Sequence, residues 1–377
     1  MTPTATPVRI VTPAPTLTAA SNPSGAHGTF TLVPALEDPE LWKATPVLLA
    51  DGRVLLLGGG LDRDNWMPAL SRTTHFFDPK TGILTPGPNM VLARATPDAV
   101  RLKDGRVLVE EGALEAAQSE IFDPVAGAFT ETGSMLDTMD DRMSRTHGLL
   151  LQSGEVLVPG DDYQPSAQLF DQGTGQYSWG PKELDPQPNG TVTLLPDGRV
   201  LFAGGGTNSS MSGTFPEASA EIYDPRANQF KRTGTLLKAR VDQTAVLLRD
   251  GRVLVMGGLN DSGAYSSAEI YDPRTEKFSS AGWQKQARSE ATSTLLSDGR
   301  VLLVGGFGGA RLDSWDADYQ AEIYDPATGR FARTGRMKGI HSAFGDPPSA
   351  ILLPDGRVLV FGAESWQDDL LAELYWP

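Results

Sequence analysis

The chain has 377 residues, 40% of them hydrophobic, with a formal net charge of −15 and an isoelectric point near 4.7. No apolar run approaches the roughly 18 residues that read as a membrane-spanning helix, and the acidic balance argues against nucleic acid, because neutralising phosphates takes a basic face that the linear sequence does not display. Cysteine is absent, which removes disulfides, thiolate metal sites and cysteine nucleophiles together.

Residues 1–27 are rich in Thr, Pro, Ala and Ser and nearly free of charge, which predicts an extended, poorly ordered tether. Such a Thr/Pro stalk resembles the segment that follows the lipidated cysteine of bacterial surface lipoproteins. The expected location is therefore extracellular or cell-surface; a plain disordered N-terminus of a cytosolic protein is the alternative.

From residue 28 onward one pattern repeats. A two-residue turn recurs at Asp51-Gly52, Asp104-Gly105, Ser153-Gly154, Asp197-Gly198, Asp250-Gly251, Asp298-Gly299 and Asp355-Gly356, with steps of 53, 49, 44, 53, 48 and 57 residues. Asp-Gly between apolar runs is a strong hairpin signal and predicts a type I′ turn with both central residues at positive φ. A third strand follows as "AEIYDP" at 220–225, 268–273 and 321–326, with weaker forms elsewhere, stopped by a proline that cannot donate to the ladder. "TGRFARTGRM" (328–337) and its relatives supply a fourth. Seven units of four antiparallel strands predict a closed all-β ring, a seven-bladed propeller over residues 28–377, expected as a monomer.

The seventh unit ends at "AELYWP" without a fourth strand. "GTFTLVPAL" (28–36) aligns with "GRFARTGRM" (329–337), placing Phe30 with Phe331 and Leu36 with Met337, so the N-terminal strand is expected to complete the last blade.

"DGRVLVMGG…AEIYDPRTEKF" resembles the Kelch repeat, in the form common in bacteria and in the central domain of galactose oxidase-like proteins. The resemblance covers about residues 28–377 and implies the propeller fold. It says little about function, since Kelch propellers include sugar oxidases, a sialic acid mutarotase and modules that only bind. The radical-copper site of galactose oxidase requires a Tyr crosslinked to Cys, which this chain cannot form.

Departures from the repeat mark candidate sites. Paired glycines follow the second strand at 58–59, 204–205, 257–258 and 305–306, whereas blade two has Glu110-Glu111, candidates for the channel mouth. The loops after the second strand vary in length and combine acids with aromatics: Asp62, Asp64 and Trp66; Asp161, Asp162 and Tyr163; Asp313, Trp315, Asp316 and Asp318; and Trp366. An aromatic ring stacks on the apolar face of a pyranose while carboxylates accept from its hydroxyls, so these loops read as a glycan-binding face; the same acids are candidate Ca²⁺ ligands. Arg94, Arg240 and Arg288 each stand ten residues before an Asp-Gly turn, positions that recur in Kelch domains near the pocket rim and that fit a clamp on a ligand carboxylate or a pairing between blades. His147 and His341 alone make a thin metal site, and no cofactor is expected. Two functions follow: a non-catalytic propeller that recognises a glycan or a protein through its variable loops, or a mutarotase-like, sugar-active enzyme using carboxylates at that face.

Overall fold

The computed structural model describes residues 28–37, 39–62, 67–110, 112, 117–137, 148–160, 164–209, 213–308, 316–317, 320–338, 348–363 and 370–377. It contains seven antiparallel four-stranded sheets, arranged as blades. Blade one is Thr45–Leu48, Val54–Leu57, Thr74–Asp78 and Ile83–Pro86, and blades two to six repeat that order; blade five, for example, is Val241–Leu247, Val253–Asn260, Ser267–Asp272 and Lys277–Trp283. First strands of neighbouring blades touch around the axis, and fourth strands form the outer wall.

Why the second strand reads as a continuous apolar run follows from its place. It has a blade on each side, so both faces are buried. Val54 and Leu56 enter the core shared with blade seven, while Leu55 and Leu57 enter the core shared with blade two. Seven such clusters fill the seven seams between blades.

The expected closure is present. Thr29–Leu32 pairs with Leu370–Trp376 in register Phe30↔Tyr375, and completes blade seven. The Phe30 and Tyr375 ring centroids lie 4.9 Å apart, matching the 4.8 Å of Phe331 and Tyr324 in blade six. Leu36 is fully buried, as Met337 nearly is.

The turn type differs from expectation. Only the glycine has positive φ (Gly52 +90°, Gly251 +85°); its aspartate does not. Gly52 N–H donates to Leu49 C=O at 3.1 Å and Leu49 N–H to Arg53 C=O at 2.8 Å, so Ala50 and Asp51 are the centre of a tight turn and Gly52 is a left-handed bulge. The aspartate's side chain explains its position. Asp250 accepts from Arg252 N–H at 3.1 Å and from Arg252 Nε at 2.8 Å, a clasp repeated at Asp51, Asp104, Asp197, Asp298 and Asp355. The arginines reach on to the next blade: Arg106 to Gln172 C=O, Arg199 to Pro273 C=O and, across the closing seam, Arg357 to Pro79 C=O at 2.6 Å.

Phe30→Ala should cost about 3–5 kcal/mol in chemical denaturation. Ile83→Ala, on the exposed edge of blade one, should change stability by less than about 0.5 kcal/mol. Similar losses for the two variants would remove the seam from the closure argument.

The hydrogen bond from Arg252 holds the Asp250 carboxyl below its ordinary range; at Asp51, Asp298 and Asp355 burial pushes upward but the turn's hydrogen bonds prevail. A depressed carboxyl contributes stability that is complete above the unfolded value near about 3.9 and is lost as pH falls through the folded one. Asp250→Asn should therefore melt below the parent at pH 7, and the two curves should converge near pH 2.

Candidate functional site

Each first strand begins at the rim opposite the Asp-Gly turns. At one repeat position there, the backbone is left-handed in five blades: Lys43 (φ 57°), Thr96 (49°), Asn189 (58°), Asp242 (54°) and Glu290 (53°). Left-handed backbone costs a non-glycine residue about 1–2 kcal/mol, and glycine would avoid it. All five residues are nevertheless polar side chains. The equivalents in blades three and seven, Arg145 and Pro347, lie outside the described residues.

Hydrogen bonds join these positions around the mouth. Asp242 N–H donates to Asn189 C=O at 3.0 Å, and Glu290 N–H donates to Asp242 C=O at 2.9 Å. Just inside, the hydroxyls of Thr244 and Ser293 are 2.7 Å apart, Thr45 Oγ1 donates to Pro97 C=O at 2.5 Å, and Asp98 accepts from Gly148 N–H at 2.6 Å. The repeat position at the mouth thus carries a polar residue in each of these five blades, and Lys43 holds its ammonium over the Trp42 ring at 4.9 Å.

The three arginines are elsewhere. Arg94, Arg240 and Arg288 are fully buried and lie 2.8, 2.6 and 2.9 Å from Glu120, Glu269 and Glu322. Each pair falls within one blade, rather than between blades or at the rim, because the segment before the first strand packs against the third strand of the same sheet. Arg240 also donates to Gly257 C=O at 2.6 Å, and a side chain at Gly257 would collide with the Arg288 carbonyl. These glycines combine positive φ with close backbone approach.

The carboxylates do a second job. Glu269 accepts from Leu237 and Lys238 N–H, Glu322 from Lys285 and Gln286 N–H, and Glu373 from Lys338 N–H, all in the segment arriving from the preceding blade. Blade three uses Gln168, which accepts from Leu136 N–H at 2.7 Å. In blade four, Gln187 stands in place of the arginine, and burial pushes the Glu221 carboxyl upward against its two backbone donors, Leu184 and Asp185. Blade one has His75 there, whose Nδ1 is buried without a hydrogen-bond partner.

Glu110 is not at the channel mouth. It takes the strand position of Leu57 and Met256 and is 1% exposed in the seam between blades two and three, where it accepts from Tyr177 Oη. Burial, then the adjacent carboxylate, push the Tyr177 phenol well above its ordinary range, which keeps it a donor. Asp64, Trp66, Glu111, Asp161, Asp162, Tyr163, Asp313, Trp315, Asp318, Trp366, His147 and His341 lie outside the described residues. Asp62 and Asp316 are described in backbone only, each in a short strand of a loop hairpin.

Residues 243–282, within blade five, match the Kelch motif. A solved structure described as a novel fungal alcohol oxidase with catalytic diversity among the AA5 family, in complex with copper, aligns with a TM-score of 0.71 and 16% identity, covering 94% of this chain and 76% of that one. No curated protein matches the sequence. The class defined is a seven-bladed β-propeller bearing the Kelch motif. Its likeness to the galactose oxidase-like alcohol oxidase is one of fold. Among the described residues no three His, Cys, Asp or Glu side chains converge, and the chain lacks cysteine.

Sequence reasoning missed the mouth residues Lys43, Thr96, Asn189, Asp242 and Glu290. The signal available was positional: in blades two, five and six each stands two residues after the conspicuous arginine.

Glu322→Gln leaves Arg288 buried beside a neutral partner and should cost about 3–5 kcal/mol. Glu221→Gln keeps the backbone acceptor, faces no buried arginine and should cost less than about 1 kcal/mol. Equal losses would show that the arginine pairing adds nothing to the backbone clamp.

Proposed function

We propose that this propeller is a non-catalytic binding protein that holds a glycan at the mouth of its axis. The observation that carries the reading is the strained ring: five blades keep a polar side chain where the backbone favours glycine. Strain of this kind collects at ligand clamps. A glycan fits the chemistry because each sugar hydroxyl both donates and accepts, matching carboxylates at Asp242 and Glu290 and donors at Lys43, Thr96 and Asn189. The sequence adds acids and aromatics to the segments that follow the second strands, and the Thr/Pro-rich composition of the first 27 residues fits a protein displayed outside the cell.

Asp242→Gly with Glu290→Gly relieves two strained positions while removing two acceptors. The double variant should melt no lower than the parent yet lose at least about tenfold in affinity for a glycan selected on a neutral oligosaccharide array, a loss of about 1.4 kcal/mol. Unchanged affinity, or an array on which the parent retains nothing, would overturn the reading. Turnover of the bound sugar would transfer it to the mutarotase-like alternative.

A further inference from the structure

The fold gathers cations that the sequence disperses. The outer segments of blades four, five and six, residues 226–238, 274–285 and 330–338, hold eleven Lys and Arg against a single acid, Glu276, and all eleven cations are exposed. The corresponding segments of blades one to three, residues 80–91, 125–137 and 173–185, hold two cations and four acids. In a chain of net charge −15, the outer wall of three of the seven blades is therefore strongly basic.

The basic wall is continuous. Gly234 N–H at the end of blade four's outer strand donates to Glu276 C=O at the turn of blade five, at 3.1 Å. Gly282, in blade five's outer strand, sits against the Gly329 carbonyl of blade six. Lys231 pairs with Glu276, Arg232 with Asp185 and Arg274 with Asp272, and these exposed pairs are weak. On the same wall Trp283 is 67% exposed, the most exposed Trp or Phe among the described residues, and Lys285 lies two residues on.

We infer that the outer wall of blades four to six binds an acidic polysaccharide, a chain of uronic-acid type with about one carboxylate per sugar. A row of guanidinium and ammonium groups matches a linear polyanion. Trp283 supplies a flat apolar face on which a pyranose stacks, a contact that a phosphate surface does not use. The strongly negative remainder of the protein opposes a dense polyanion such as duplex DNA more than a sparsely charged glycan. This surface is separate from the mouth of the axis.

The test is affinity electrophoresis and titration of the whole chain with polygalacturonate at 50 and 200 mM salt, alongside dextran, duplex DNA and anionic lipid vesicles. The parent should bind polygalacturonate, lose at least about tenfold between the two salts as screening shortens, and ignore dextran. Lys277→Glu with Arg330→Glu and Arg333→Glu should lose at least tenfold with an unchanged melting curve. Trp283→Ala should lose severalfold for polygalacturonate at unchanged net charge. The proposal falls if the triple variant binds as the parent does, if Trp283→Ala has no effect, or if DNA or vesicles bind as well as polygalacturonate. The mouth variant Asp242→Gly with Glu290→Gly should leave this binding intact, so failure at either surface can be told from failure at the other.

Discussion

A buried acceptor on the third strand of blades two to seven, receiving backbone N–H groups from the segment that arrives from the blade before, ties the ring together at its least regular point. Apolar packing fills the seams but is indifferent to small rotations between sheets. A carboxylate taking two N–H bonds at 2.6 and 3.2 Å, as Glu269 does, fixes how the incoming chain enters the sheet. Where arginine completes the pair the charge is neutralised inside the blade; where it is missing, in blade four, burial lifts the carboxyl. The left-handed residues at the mouth lie immediately downstream of these clamps, so their strained geometry is held by the segment anchored behind them.

Much of the fold was legible in the sequence because each signal was local. The Asp-Gly turns, the all-apolar second strands and the Asp-Pro stops each reflect one strand and its neighbour. Even the closure could be read, since Phe30 and Leu36 repeat the spacing of Phe331 and Met337. The exact turn was not legible: Asp-Gly is compatible with both a two-residue hairpin and a bulged one, and the choice rests on the clasp between Asp250 and Arg252.

The candidate site was read less well, for a physical reason. Arg94, Arg240 and Arg288 looked like ligand groups because charge is seldom buried, yet each has a partner two strands away that periodicity cannot identify. Glu110 looked like a departure from a glycine pair, but counted from its turn it holds the last strand position before that pair, the place of Leu57 in blade one, and so lies in a seam. Conversely, Asn189, Asp242 and Glu290 are unremarkable as letters and become distinctive only through φ. Charge behaves similarly. A net value of −15 conceals a division in which one side of the cylinder is basic and the other is not.

The shared blade has a temporal consequence. Phe30 meets Tyr375 only after some 345 intervening residues have been synthesised, and bringing such distant partners together costs about 5 kcal/mol of loop entropy. During translation the first strand waits with an open edge, and six blades assemble as an arc. Once closed, the same contact works in reverse: no blade of the ring can peel away without first parting Thr29–Leu32 from Leu370–Trp376 or breaking a seam. A pairing this distant in sequence slows folding, so the ring's persistence is set by the rate at which that contact forms and parts as well as by its equilibrium.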